Sequence, residues 1–338
     1  MLDRIHALRP IAARAALTAL AGAALLLAAC TPPTTTPATG TANPTTACTV
    51  RSSDLALAGG GAAKATTDAS LKGAALAIDG STALAPLFSD AAKAFDGANA
   101  TRTSITPNGS GTGLKDVEAG AVQIGLSDFF AKEKAPTDKP HAYDDLVDHQ
   151  VAAVAFSLVV SSDLRGKVTN LTKKQIQQIY TGVVTNWSQV GGPNEAITVI
   201  NRTASSGTRF TFKKYVLDNQ DENAPNAQTQ DTSAQVATSI AATQGAIAYV
   251  ANGFVVTNST MAPICIDGYS GTAANINAGK YPFWAYEHAY TKGQATGAAK
   301  ALLDFMNGAD FQSKDLAANA YIQAGKLSDA AKATHPAP

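Results

Sequence analysis

The chain has 338 residues, of which 45% are hydrophobic and 15% charged, enough for one large domain or two ordinary domains with a proper core. Its 26 basic side chains equal its 26 acidic ones, so it lacks the positive charge expected of a nucleic-acid-binding protein. Three cysteines and five histidines offer few ligands for a structural metal or an iron–sulfur cluster, and we predict no metal and no cofactor.

The first thirty residues have the pattern of an export signal. Three arginines precede an apolar run over residues 15–29, and small residues follow at its end, as in a secretory signal peptide. The run has about fifteen residues, too short for a permanent membrane helix. The segment Leu27-Ala28-Ala29-Cys30 resembles a bacterial lipobox, which predicts cleavage after residues 1–29 and acylation of Cys30. The alternative is an ordinary signal peptide with a chance cysteine.

Residues 30–70 are predicted to form a lipidated tether and N-terminal extension. Thr31 to Ala47 is dominated by Thr, Pro, Ala and Gly, a composition that cannot support a packed core. With a lipid on Cys30, the tether would hold the protein at the extracytoplasmic face of the cell membrane. The remaining cysteines, Cys48 and Cys265, form an even pair outside the cytosol, which favours a disulfide over two buried free thiols.

From residue 71 onward, strand-like and helix-like patterns alternate. Apolar and β-branched runs predict strands at 74–78, 103–106, 122–126, 151–160, 197–200 and 246–250. Helical spacing predicts helices at 84–95, 114–119, 176–180, 210–217, 236–242 and 301–306. The alternation indicates an α/β fold, and its length of nearly 270 residues favours two lobes. The run at 151–160 is continuously apolar, as in a buried strand.

Three similar turns combine glycine with hydroxyl residues, at 79–82, 108–113 and 205–208, and each precedes a predicted helix. Glycine permits the tight turn, and serine or threonine caps the helix. The free amides and the helix dipole then favour an oxyanion. One such turn is an ordinary helix start, but three in one chain favour a shared anion. Arg202 follows a predicted strand and could bind the anion with two parallel hydrogen bonds, or form a surface salt bridge instead.

Other chemistry is weakly supported. The turns lack the lysine and spacing of a nucleotide phosphate loop and the pattern of a serine-hydrolase elbow. A cluster of two histidines and two aspartates would share one face if it were helical, which could hold a divalent cation, but a solvated polar face is the favoured interpretation. Its members are His141, Asp145, Asp148 and His149.

In combination and order, these motifs resemble the phosphate-binding protein family of the bacterial ABC phosphate importer. The resemblance covers residues 74–306. It rests on Gly80-Ser81-Thr82, Gly109-Ser110-Gly111, Ile124-Gly125-Leu126-Ser127-Asp128 and Arg202 with Ser206-Gly207-Thr208, supported by Thr185-Asn186-Trp187, Gly245 to Val250 and Tyr281-Pro282-Phe283. The family implies a type II periplasmic-binding fold, with two α/β lobes joined by a two-segment hinge. We place lobe 1 at 71–153 plus 283–338 and lobe 2 at 154–282, with crossings near 151–160 and 279–286.

The resemblance also implies a set of ligand contacts. Asp128 would accept the proton of the ligand, and Arg202 would pair with its charge. Thr82 would contribute its hydroxyl and amide, and Ala83 its amide only. The predicted phosphate-binding set is Thr82, Ala83, Ser110, Asp128, Arg202, Ser206, Gly207 and Thr208. Because sulfate at neutral pH has no proton to donate, a buried Asp128 should reject it. The alternative role for Asp128 is a helix cap.

The predicted function is high-affinity binding of inorganic phosphate outside the cytoplasmic membrane and its delivery to the subunits of an ABC permease. The protein would be a monomer, bound to the membrane by its lipid, and would do no covalent chemistry. One alternative is a phosphate-responsive surface lipoprotein for signalling or adhesion. A phosphate-ester hydrolase is a weaker alternative, because no histidine lies in a motif with Ser110 or Ser206.

Overall fold

The structure is a computed structural model that describes residues 48–338. The predicted signal peptide, the lipidation site Cys30 and the predicted solvated tether at 31–47 lie outside the described residues. None of the helices between residues 48 and 338 is both long and apolar enough to cross a membrane.

The described chain alternates strands and helices, with short 3-10 turns between them. The strands are β1 (Ala75–Gly80), β2 (Arg102–Thr106), β3 (Ile124–Ser127), β4 (Leu146–Ser161), β5 (Asn170–Leu171), β6 (Thr198–Arg202), β7 (Gln228–Gln230), β8 (Ala246–Ala251), β9 (Met261–Ile266), β10 (Trp284–Lys292) and β11 (Tyr321–Ile322). The helices are α1 (Ala85–Asn99), α2 (Ser110–Glu118), α3 (Lys173–Tyr180), α4 (Gly207–Tyr215), α5 (Ser233–Ala242), α6 (Asn252–Val256), α7 (Ala273–Asn277), α8 (Gly297–Asn307), α9 (Ala309–Ala318) and α10 (Asp329–Thr334). The α/β class predicted from the sequence is confirmed.

The strands form a mixed sheet in the order β2-β1-β3-β10-β4-β8-β6-β7. Strand β1 is parallel to β2 and β3, and β10 is antiparallel to β3 and β4. Strand β6 is parallel to β8 and β7. The carboxyl ends of β1 and β3 therefore meet at one edge, where the turns that enter α1 and α2 also lie.

Strand β4 changes its partners halfway along its length. Its first part pairs with β10 as far as Ala155, and its second part pairs with β8 from Phe156 onward. The run from Val151 to Ser161 is buried throughout, which explains its continuous apolar sequence. The change of partner lies inside the segment predicted as a crossing. The proposed lobe boundaries themselves stay a prediction.

An aromatic cluster connects β4 with helix α4. The Phe283 ring lies 5.0 Å from that of Phe156 and 5.2 Å from that of Phe212, centroid to centroid. Phe212 in turn stacks on Tyr249 of β8, with centroids 4.3 Å apart. Such contacts stabilise aromatic pairs beyond the area they bury. The cluster fixes α4, and with it the glycine–hydroxyl turn at the N-terminus of α4.

The N-terminal segment packs on the folded body from Cys48 to Ala63. A disulfide joins Cys48 to Cys265 of β9, with the two Cα atoms 6.2 Å apart. The buried Leu55 side chain belongs to the apolar cluster of β8 and α5. Further on, the Ala63 amide donates to Asp315 Oδ2 of α9 at 2.7 Å. The sequence placed these residues in the predicted N-terminal extension, and in the structure they bridge β9 and α9.

The helical arrangement considered for the His141–His149 cluster is wrong. Asp148 and His149 are neighbours on strand β4, so their side chains point to opposite faces. Asp148 pairs with His288 of β10, and His149 Nε2 lies 3.0 Å from Thr291 Oγ1. Within residues 48–338, no group of three or more His, Cys, Asp or Glu side chains is arranged to hold a metal ion.

Candidate functional site

The three glycine–hydroxyl turns each begin a helix in the structure. Gly80 ends β1 with φ +131°, and the Ser81 hydroxyl accepts from the amides of Ala83 and Leu84 at 3.1 Å each. Gly109, with φ +104°, precedes α2. These angles lie in the region that glycine alone adopts without strain. The Ser81 hydroxyl holds the turn that enters α1, and the positive dipole ends of α1 and α2 lie at the carboxyl ends of β1 and β2.

The third turn lies against the second. The hydroxyl of Ser206 caps α4 by accepting from the Arg209 amide at 3.2 Å. The Gly111 amide donates to the Ser205 carbonyl at 2.9 Å, which connects α2 to the turn that enters α4. A Cβ on Gly207 would lie 2.7 Å from Asp128 Cγ and would also collide with the hydroxyl of Ser110. The N-termini of α2 and α4 can therefore approach this closely only because position 207 is glycine.

Asp128 lies at the centre of the site, directly after β3, and is only 3% exposed. Its carboxylate accepts hydrogen bonds from the hydroxyls of Ser81, Ser110 at 3.3 Å and Thr208 at 3.1 Å. Burial raises the pKa of Asp128 above its ordinary value, while the hydroxyl donors and the charge of Arg202 act in the opposite direction. The carboxylate thus receives donors from the β1–α1 turn, from α2 and from α4 at once.

Arg202, the last residue of β6, is 1% exposed. Its Nη2 donates to Thr82 Oγ1 at 3.0 Å and to the Asp231 carbonyl at 2.8 Å, and its Nε donates to the Gln230 carbonyl at 3.1 Å. Thr82 Oγ1 also lies 3.0 Å from Ser233 Oγ. Burial lowers the pKa of Arg202 from its ordinary value, while Tyr249, Asp128 and Asp231 act in the opposite direction. An arginine guanidinium stays charged in proteins. A positive charge is therefore fixed beside the N-termini of α1 and α5.

The structure brings the predicted site residues into one buried cluster, from β1–α1, α2 and β3 on one side and β6–α4 on the other. Buried in it are Thr82, Ala83, Ser110, Asp128, Arg202, Ser206, Gly207 and Thr208. The amide of Ala83 is engaged by the Ser81 hydroxyl, and its carbonyl accepts from the Tyr321 hydroxyl. Ala83 thus differs from the other members, because its amide already donates to Ser81 within the turn that enters α1.

Sequence reasoning did not assign two hydroxyl residues that belong to this cluster. Ser81 was noted only within its turn, although it donates to Asp128. Ser233, at the start of α5, touches both Thr82 and Arg202. A signal for Ser233 was present: Thr232 and Gln235 form a capping box, which marks a fourth helix start with hydroxyl residues.

The cluster has the chemistry of an oxyanion receptor. It contains one guanidinium, several hydroxyls and the N-termini of helices, all of which favour negative charge. It also contains one carboxylate, which accepts a proton but repels an unprotonated anion. A small tetrahedral oxyanion that still carries a proton would satisfy both kinds of group.

Comparison with known proteins agrees with this description. A family model described as a PBP superfamily domain matches residues 34–310. Over 248 residues the chain is 42% identical to the phosphate-binding protein PstS of Bacillus subtilis (strain 168), covering 73% of this chain and 80% of that protein. This chain belongs to the PstS family. The family predicted from the sequence is confirmed.

Solved structures resemble this PstS-family chain over most of its length. A Clostridium perfringens structure, described as a phosphate ABC transporter substrate-binding protein with bound phosphate, superposes with a TM-score of 0.66 at 26% identity and covers 74% of this chain and 99% of its own. An ABC-type phosphate transport receptor from Vibrio cholerae gives a TM-score of 0.58 at 24% identity, with 73% and 99% coverage. These PstS-like proteins are named as binding proteins and receptors, not as enzymes.

Proposed function

We propose that this protein binds inorganic phosphate outside the cytoplasmic membrane and delivers it to an ABC permease, without covalent chemistry. The observation that carries the proposal is the burial of Arg202 and Asp128 in one cluster at the N-termini of four helices. The cation and the helix dipoles match the negative charge of the ligand. The carboxylate matches its proton. Membership of the PstS family supports the same ligand.

The predicted contact set divides between the two proposed lobes. Thr82, Ala83, Ser110 and Asp128 belong to lobe 1, and Arg202 with Ser206, Gly207 and Thr208 belongs to lobe 2. A ligand held by both groups would stabilise the closed arrangement over any open one, because it gains all of its contacts only when the lobes meet. Ser81 and Ser233 extend the set as residues that orient Asp128, Thr82 and Arg202.

Asp128 would provide the selectivity against sulfate. A hydrogen phosphate ion can donate its proton to the buried carboxylate. A sulfate ion at neutral pH has only acceptor oxygens, and they would face a carboxylate that is also an acceptor. An unpaired buried charge of this kind costs several kcal/mol, roughly a thousandfold in affinity. The positively charged Arg202 alone would attract both ions.

Calorimetric titration with phosphate and sulfate at pH 8 tests the proposal. The wild-type protein should bind phosphate at micromolar or tighter affinity and sulfate about a thousandfold more weakly. Asp128→Asn should reduce that selectivity, because an amide can donate to an unprotonated oxyanion, and Arg202→Ala should weaken phosphate binding outright. Asp138→Asn, at an exposed residue, is the control and should change the affinity for neither phosphate nor sulfate. Sulfate binding as tight as phosphate binding in the wild-type protein would contradict the proposal.

The cellular setting belongs to the same proposal. Acylation at Cys30 would anchor a monomeric receptor at the extracytoplasmic face, where it meets the permease subunits. Two features support this: the lipobox-like sequence before Cys30 and the disulfide between Cys48 and Cys265, a bond typical of oxidising compartments. Metabolic labelling with a radioactive fatty acid should mark the wild-type protein and not a Cys30→Ser variant.

A further inference from the structure

A second acidic residue lies buried next to Asp128. Glu287, on strand β10, is 0% exposed, and neither of its carboxyl oxygens has a hydrogen-bond partner. In the antiparallel pairing of β10 with β3, His288 lies opposite Ser127. Glu287 is therefore level with Asp128, the residue that follows Ser127. The ligand contacts proposed above do not use Glu287, so its burial needs another explanation.

The surroundings of Glu287 offer nothing that would stabilise a negative charge. Across the sheet on β4 it faces the apolar Ala152, and from β11 the nearest polar group is the Tyr321 hydroxyl, which donates to Ala83 instead. Its neighbour His288 pairs with Asp148 on the other face of the sheet. The negative Asp128 is the charged group that faces it.

Helix α2 packs on β10 but does not supply a counter-charge either. Its basic residue, Lys115, is exposed, and Lys292 at the far end of β10 pairs with Glu118. Burial and the proximity of Asp128 raise the pKa of Glu287 well above its usual range. Burying an ionised carboxylate without donors is strongly unfavourable. The neutral acid is the form compatible with this site.

The two acids differ in their hydrogen bonds, and this difference decides which one keeps a proton. Asp128 accepts from three hydroxyls and interacts with the charge of Arg202, all of which favour its ionised form. Glu287 has no donor at all. A single proton held by the pair therefore resides on Glu287, and Asp128 stays ionised toward the cleft.

We propose that Glu287 is a positioning residue for the binding site, which keeps a proton beside Asp128 so that Asp128 alone carries the negative charge that meets the ligand. This inference rests on the proposed function and deepens it. If Glu287 lost its proton, two adjacent carboxylates would face a phosphate dianion. Phosphate affinity would then fall by about tenfold or more, because the added negative charge would repel the anion at short range.

The first test determines whether Glu287 carries a proton. Infrared spectra of the wild-type protein at pH 8 should contain a carbonyl band of a protonated carboxyl that is missing in Glu287→Gln. The difference between the two spectra isolates Glu287 from other buried acids. Identical spectra in this region would overturn the proposal, because they would show Glu287 ionised in the wild-type protein.

The second test determines whether phosphate affinity depends on the proton of Glu287. Calorimetry from pH 7 to pH 10 should give Glu287→Gln and wild-type proteins equal phosphate affinities within about threefold wherever the wild-type band is present. At any pH where the band is lost, the wild-type protein should bind about tenfold more weakly than Glu287→Gln, which cannot ionise. Affinities that diverge while the band persists, or that stay equal after it is lost, would overturn the proposal.

Asp315→Asn is the matched control variant for Glu287→Gln. Asp315→Asn changes a buried acid on α9 that accepts from the Ala63 amide, away from Asp128, and it should follow the wild-type affinity at every pH. If Glu287→Gln does not fold, the wild-type band and its loss with pH, compared with wild-type affinity in the same samples, still test the proposal. A wild-type protein that binds no phosphate at pH 8 would overturn the proposed function itself, a result distinct from any failure specific to Glu287.

Discussion

The two charged residues of the site are held apart by their own hydrogen bonds. Asp128 is satisfied by hydroxyl groups, whereas Arg202 is satisfied by carbonyls and by Thr82, and the two do not form an ion pair with each other. A direct pair would neutralise both groups and weaken the attraction of either for a ligand. Their separation leaves a positive and a negative group available to recognise the two ends of a protonated anion.

The approach of α4 to Asp128 predicts the effect of a single methyl group. Gly207→Ala should weaken phosphate binding by roughly tenfold to a hundredfold, since its Cβ would collide with Ser110 and Asp128 and overpacking of this kind costs about 1–3 kcal/mol. Titration calorimetry measures the affinity. Gly97→Ala, on the open face of α1 where no atom lies within 4 Å, is the matched control. It should leave binding unchanged and raise stability by about 0.5–1 kcal/mol.

Equal phosphate affinities for Gly207→Ala and the wild-type protein would contradict this account. It would mean that the contact between α4 and α2 is not needed in the bound state. Thermal unfolding of the variant, measured without phosphate, separates a loss of binding from a loss of folding.

At the residue level, the site residues that could be predicted from the sequence are those that belong to a local motif. The glycine–hydroxyl turns, Asp128 and Arg202 follow predicted strands, and their order along the chain resembles that of the phosphate-binding family, so they could be assigned to one site. The burial of Glu287 could not be predicted, because charged residues are rarely buried and nothing in its local sequence indicates burial. Its environment depends on β3, β4 and β11, which come from three distant parts of the chain.

At the level of elements, periodic segments were predicted within a few residues of their observed ends, such as the helix at 84–95, observed as Ala85–Asn99. Strand β9 was missed, and Pro263 within it argues against a strand. Strand β10 was missed because aromatic, charged and small residues are mixed along it without alternation. The two-residue strands β5 and β11 exist only through their partners β9 and β4.

The loop between α4 and β7 contains a buried acid that predicts a pH dependence of stability. Glu222 Oε1 accepts from the Tyr249 hydroxyl at 2.9 Å, while its side chain is only 1% exposed. Burial raises the pKa of Glu222 from its ordinary 4.5 to about 7, although Arg209 at 3.7 Å opposes the shift. Between these pH values the folded protein keeps a proton that the unfolded chain has lost, so Glu222 lowers stability as the pH rises.

Glu222→Gln removes this titration. Relative to the wild-type protein, the variant should gain about 1–3 kcal/mol of unfolding free energy between pH 4.5 and pH 8. Urea denaturation at the two pH values measures the difference, and the exposed Asp138→Asn serves as the control. A variant whose stability follows the wild-type protein in parallel across this range would contradict the assignment to Glu222.

At the scale of the whole molecule, the N-terminal segment makes contacts that sequence composition concealed. The sequence placed it in an N-terminal extension, and the structure shows Leu55 buried in the cluster of β8 and α5 and Ala63 bonded to α9. The even pair of cysteines, together with the predicted location outside the cytosol, predicted the pairing of Cys48 with Cys265. The segment joins β9, in the proposed lobe 2, to α9, in the proposed lobe 1, so it spans the proposed boundary outside the two crossing strands.

The disulfide predicts a large effect on stability and a small one on binding. It closes a loop across 217 residues of sequence, which restricts the unfolded chain, so a Cys48→Ser/Cys265→Ser variant should lose about 2–4 kcal/mol of unfolding free energy. Guanidinium denaturation measures the loss. Phosphate affinity should stay within about threefold of the wild-type value, because neither cysteine belongs to the Asp128 cluster.

A reductant provides the matched comparison. It should destabilise the wild-type protein by about the same 2–4 kcal/mol and leave the double-serine variant unchanged, since only the wild-type protein has a bond to break. A wild-type protein whose unfolding does not respond to reduction, or a variant as stable as the wild-type protein, would show that packing of Leu55 and Ala63 alone holds the N-terminal segment. In that case the segment would remain attached, and the cross-link would contribute nothing to the free energy of folding.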